Sequence, residues 1–220
     1  MIERETVRRG EKVSFYFDAI CPWTWITSRW LEEVAEKRAL QIIWRSLSLV
    51  VLNNGAHALQ TAYRGAGALS TDFLRMVEAM HADHRDDLVG PFYTAVGTRL
   101  HVENHEPNSD LLEAAATAAG VSEYLAAAGD DRWDDAVVAS TAEALELGGP
   151  DTGSPILHLD GRPRGLHGPI VSPIPEGDNV TRLWDVVIAA MSMPDFYELK
   201  HGREGAPQIA RQPARTSSRR

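Results

Sequence analysis

Residues 18–26 read Asp-Ala-Ile-Cys-Pro-Trp-Thr-Trp-Ile, and Cys21 is the only cysteine in 220 residues. The Cys-Pro-Trp run has the form of a C-x-x-C redox site, but Thr24 stands where the second cysteine would be. In such a pair one thiolate forms a mixed disulfide and the other resolves it. A thiol just before a helix faces free backbone N–H groups and the positive end of the dipole, which favour the reactive thiolate. Thr24 lies one turn further on, and its hydroxyl can donate to that thiolate. It cannot attack a disulfide, so release must come from an outside thiol. The alternative is an inert core cysteine. The Pro-Trp context and the placement of Cys21 between a strand-like and a helix-like run favour the reactive reading.

The elements that would hold this site follow from periodicity. Val13, Phe15 and Phe17 alternate with Ser14 and Tyr16, the pattern of a strand. Pro22 suits the first position of a helix, where its missing N–H costs nothing. Trp23, Ile26, Trp30 and Val34 recur at helical spacing to about Arg38, and residues 40–49 read as a second strand. This βαβ unit puts Cys21 at the carboxyl end of its first strand, where α/β folds gather ligands. Residues 55–149 are helical in pattern: 70–82 with Ser70 or Thr71 as N-cap, 108–120 ending on glycine, 122–128 and 131–147. Strand character returns at 153–159, Asp160-Gly161 signals a hairpin turn, 162–167 is a return strand, and 178–193 is a last helix. The order βαβ, helical block, ββα predicts an α/β chain with a thioredoxin fold at 12–54 and 150–200. Residues 55–149 form a helical insertion, and 201–220 a flexible tail.

Bulk properties narrow the function. Hydrophobic residues are 44% and charged residues 24%, an ordinary globular balance. A net charge of -9 argues against a general nucleic-acid binder. Arg211, Arg215, Arg219 and Arg220 near the C-terminus read as a solvated end. No run of 18 apolar residues occurs, and the charged N-terminus has no apolar signal core. With one cysteine these features point to the cytoplasm. His81 with His84, and His101 with His105, invite a metal reading. No cysteine pair or carboxylate spacing accompanies them, so none is expected. Gly65-Ala-Gly67 lacks the strand of a phosphate loop.

The segment from Phe17 to Trp30 resembles the active-site segment of DsbA-like thioredoxin-superfamily proteins. More closely, it resembles the actinobacterial mycothiol-dependent nitroreductase family, also called FrnE-like. Residues 48–54, 62–65, 91–101, 104–106, 153–155, 183–185 and 194–200 have counterparts there, so the likeness covers 13 to about 200. Thr24 departs from it, since the family normally keeps a second cysteine. The resemblance implies that Pro155 is cis and lies beside Cys21, with the Ser154 backbone pairing a bound thiol or peptide. It also implies that Pro22, Trp23, Asn53, Tyr63 and His105 line a substrate pocket. Packing between core and insertion explains Trp23 and Tyr63 equally well. No tightly bound cofactor is implied. Mycothiol would be the co-substrate, and several relatives are dimers.

Three functions fit one thiol. A monothiol oxidoreductase would use mycothiol to reduce mixed disulfides or nitroaromatic and other electrophilic molecules. A redox-neutral thiol transferase or isomerase would act on a quinone or polyketide of secondary metabolism. Kappa-class glutathione transferases and hydroxychromene carboxylate isomerases share such a fold, with serine near this position. A binding protein would keep the pocket without turnover. Retention of Cys21 argues against the third, and the otherwise intact pattern favours the first.

Overall fold

The computed structural model describes residues 10–61, 65–203 and 205–209. Strand β1 (Lys12–Phe17) is buried at every residue after Lys12. Helix α1 (Pro22–Arg38) opens on Pro22 and closes where Ala39 turns left-handed, its N–H bonded to the Ala35 carbonyl. Strand β2 (Gln41–Ser46) runs parallel to β1, with Trp44 opposite Phe15. It stops short of the expected residue 49, because Ser48 caps a short helix, α2 (Leu49–Asn54), by accepting from the Val51 N–H at 3.2 Å. An apolar run such as 49–52 has no periodicity to separate strand from helix.

The block that follows contains α3 (Gly65–Ala82), α4 (Asp86–Gly97), α5 (Ser109–Ala119), α6 (Leu125–Ala128) and α7 (Asp134–Gly148). A π-helical turn, Thr98–Val102, continues α4. Helix α5 has the ends its sequence announces: Asn108 accepts from the Leu111 N–H at 3.0 Å, and Gly120 adopts the left-handed φ of 71°. Helix α3 starts five residues ahead of Ser70. Ser70 is therefore an interior residue, fully buried, and not a cap. Strand β3 (Ile156–Leu159) lies antiparallel to β1, and β4 (Leu166–His167) is a two-residue return. The expected longer return meets Pro163, which has no N–H for a ladder. Helix α8 (Asp178–Met191) ends the regular structure.

The strand order is β2-β1-β3-β4. With α1 crossing between parallel β1 and β2, and α8 following the β3-β4 hairpin, this is a thioredoxin fold interrupted by helices. Both faces of β1 are covered. Phe15 and Phe17 join a cluster with Trp25, Trp30, Phe73, Tyr93 and Trp184, while Tyr16 packs with Leu47, Ala144 and Ile156. The Trp30 indole N–H donates to the Val180 carbonyl at 3.0 Å and fastens α1 to α8. Among the described residues no helix is long and apolar enough to cross a membrane.

The inserted helices meet α1 at Trp25, which lies flat against Gly97. A Cβ at Gly97 would stand 2.2 Å from the Trp25 ring. Gly97→Ala is expected to lower unfolding free energy by about 1–3 kcal/mol, because the ring has no free volume to enter. Gly129→Ala, where a Cβ meets nothing within 4 Å, should stay within about 1 kcal/mol of the parent. Urea unfolding of the two variants checks this, and equal effects would contradict the close approach.

Candidate functional site

Cys21 is the N-cap of α1. Its extended backbone turns the Sγ atom toward the Thr24 N–H, which donates to it at 3.5 Å. The thiol is buried, with 9% exposure. The bond to sulfur thus comes from the Thr24 backbone. The Thr24 hydroxyl, expected to face the thiol, instead lies 2.8 Å from the Ser154 hydroxyl. Thr24 is fully buried there, and the Ser154–Pro155 peptide is cis. The helix turn carrying Cys21 and the segment entering β3 are thereby joined, 130 residues apart in the chain.

The turn ahead of Cys21 is held by two residues whose part the sequence did not reveal. Asp18 is fully buried. Its carboxylate accepts from the Ile20 N–H at 3.2 Å, the Leu49 N–H at 2.8 Å and the Ser70 hydroxyl at 2.7 Å. Burial raises its pKa, and the three hydrogen bonds oppose that rise. His101, on the π-helical turn, sends Nε2 to within 2.7 Å of the Ala19 carbonyl. A carbonyl only accepts, so Nε2 carries the proton in that bond. Burial lowers the His101 pKa, with the Ala19 bond working against it. His101 also lies against Trp25, ring centroids 5.8 Å apart. The sequence offered one signal for Asp18: an acid at the end of a buried strand needs donors nearby. His101 had been grouped only with possible metal ligands.

The other predicted residues divide. Pro22 and Trp23 form the first turn of α1 beside Cys21, and Trp23 is half-buried under the Arg203 guanidinium, 4.8 Å from the ring centroid. Asn53 and His105 are both exposed, and His105 pairs with Glu103 at 3.5 Å. No described hydrogen bond or ring contact joins either of them to Cys21. Tyr63 lies outside the described residues. His81 meets Asp86, and among the described residues no group of three or more His, Cys, Asp or Glu could hold a metal ion.

Cys21 thus caps a helix whose first turn is bonded to the serine of a cis-proline peptide. The model of the Rv2466c-like family, mycothiol-dependent nitroreductase Rv2466c, matches residues 20–201. The chain belongs to this family. The Rv2466c-like match opens just ahead of Cys21 and closes two residues before Arg203. The uncharacterized protein Rv2286c of Mycobacterium tuberculosis is 28% identical over 197 residues, which cover 88% of this chain and 83% of that protein. Two solved structures share the fold. A candidate protein disulfide isomerase from Nitrosomonas europaea superposes with a TM-score of 0.57 at 14% identity, covering 82% of this chain and 98% of that one. A candidate DsbA oxidoreductase from Streptomyces coelicolor superposes with a TM-score of 0.53 at 18% identity, covering 89% and 95%.

The buried Asp18 has a measurable signature. Its folded pKa is raised, so its contribution to stability is fully present below about pH 4, the ordinary value for the unfolded chain. That contribution is lost as pH rises through the folded value. The stability of the parent relative to Asp18→Asn should therefore decline as pH rises from about 4 toward neutrality, as read by urea unfolding across that range. A difference independent of pH would contradict a buried, titrating carboxylate.

Proposed function

We propose that the chain is a monothiol oxidoreductase in which Cys21 exchanges with low-molecular-weight disulfides, and mycothiol supplies the electrons. One observation carries this: Cys21 caps α1 with a backbone N–H on its sulfur, while the position that would hold a resolving cysteine is a threonine bonded to Ser154. The Cys21 thiolate attacks a disulfide, and one S–S bond breaks as another forms. The leaving thiolate takes the electron pair of the broken bond. An outside thiol then attacks the mixed disulfide and restores Cys21. Reducing a nitro group to a nitroso group with the same thiols consumes two of them and yields one disulfide and one water. Membership of a mycothiol-dependent family supports the choice of thiol. Such a thiol is best kept reduced in the cytoplasm. Pro22, Trp23, Ser154 and Pro155 would form the contact surface for the bound thiol, and the family likeness adds Asn53, Tyr63 and His105 to the substrate contacts.

A second reading draws on the Thr24–Ser154 pair. A hydroxyl pair one helical turn from a thiol, with no second sulfur, also suits redox-neutral addition of a thiol to an electrophilic metabolite.

Turnover of a mixed disulfide with mycothiol separates the readings. Cys21→Ser should lower kcat/KM at least about 1,000-fold, the scale on which removal of a nucleophile acts. In the parent, loss of the Cys21 adduct should be first order in added thiol. In Thr24→Cys the adduct should resolve without added thiol. Full activity in Cys21→Ser would sink both catalytic readings. With a quinone in place of the disulfide, a thiol adduct formed with no disulfide released would favour the addition reaction.

A further inference from the structure

The chain beyond α8 returns to the site. The Gln208 N–H donates to the Ser172 hydroxyl at 2.7 Å, and Ile209 packs against the main core, so this end of the segment is seated on the domain. Midway, Tyr197 lies beneath the Arg164 guanidinium at 5.3 Å. Between these points Arg203 stands over Trp23, 4.8 Å from the ring centroid. Arg203, read from sequence as the start of a tail, thus stands beside the first turn of α1.

Arg203 also faces the opposite side of the site. His167, at the end of β4, hydrogen-bonds to the Ser154 backbone. Desolvation lowers its pKa first, and the Arg203 charge then lowers it further; Lys200 acts the same way and Glu198 opposes. Contacts therefore run from Cys21 through Thr24 to Ser154, and on the other side Arg203 contacts Trp23 in the cysteine's own helix turn. Among the described residues Arg203 has no carboxylate partner, and its guanidinium lies against an aromatic face. In a chain of net charge -9, an anion is repelled by the protein at large and needs a local cation to approach. A guanidinium beside an indole offers a carboxylate two parallel donors and a planar ring a stacking shelf.

We infer that Arg203 and Trp23 form an anion subsite next to Cys21, which selects planar aromatic electrophiles bearing a carboxylate or similar anionic group. The inference rests on Cys21 as the reacting thiol, and it adds the class of substrate. Arg203 lies beyond the family match at 20–201.

Two aromatic disulfides test it: bis(carboxynitrophenyl) disulfide, which is anionic, and dipyridyl disulfide, which is neutral near pH 7. Each reacts with a thiolate by the same exchange and releases a coloured thiol. The ratio of their rate constants on Cys21, anionic over neutral, should fall about fivefold in Arg203→Ala, the scale of a partly exposed ion pair. Arg203→Lys should keep most of it. An unchanged ratio in Arg203→Ala overturns the subsite. A second measurement does not need the sulfur. Equilibrium dialysis of nitrobenzoate and nitrobenzamide against the Cys21→Ser protein should favour nitrobenzoate, and Arg203→Ala should abolish that preference. No preference in Cys21→Ser overturns the subsite, whatever the thiol does. If Cys21 reacts with neither disulfide while the dialysis preference stands, the oxidoreductase reading fails and the anion subsite survives.

Discussion

The Asp18 carboxylate is the constraint on which the site depends. It is fully buried in a turn between strand and helix, and three donors hold it, from the turn itself, from α2 and from α3. An ionised group in such a place is tolerated only when its oxygens are satisfied, and losing a donor costs more than an average hydrogen bond. The same turn is held from the other side by His101 on the Ala19 carbonyl. The helical block is therefore more than an appended cover. It supplies Ser70 and His101, and so fixes the path by which the chain enters Cys21.

Downstream of the cysteine the constraint is the Thr24–Ser154 pair. A C-x-x-C site needs its second side chain free to reach the first sulfur. Here that side chain is committed to the segment leading into β3, and among the described residues the sulfur accepts from the backbone N–H of Thr24. The helix terminus still offers its dipole and its N–H groups to a thiolate. In the proposed mechanism activation and resolution, joined in a dithiol, are thereby separated, and resolution is left to an outside molecule.

Much of this was legible in the residues. Pro22 and the spacing of Trp23, Ile26, Trp30 and Val34 located α1 at both ends, because a proline start and an apolar stripe are local signals. Asn108 and Gly120 did the same for α5. What escaped depends on contacts between distant segments. Ser70 has the side chain of a cap, and only its approach to Asp18, 52 residues away, gives it another task. Residues 49–52 are apolar throughout, so the helix cap at Ser48 decides their state where periodicity cannot. Arg203 sits in a polar C-terminal stretch with no pattern of its own, and its place over Trp23 follows from anchors at Ser172 and the core. The thiol and its helix were readable from the residues, and the cis-proline through the family likeness; the residues that hold and surround them were not.

The central claim is that one thiol, without an internal partner, runs a disulfide-exchange cycle. Intact-mass measurement on reduced protein treated with mycothiol disulfide tests it most directly. The account predicts a single mycothiol adduct on Cys21 that persists after the disulfide is removed and disappears when free mycothiol is added. Failure to form an adduct on the folded, reduced protein would contradict it.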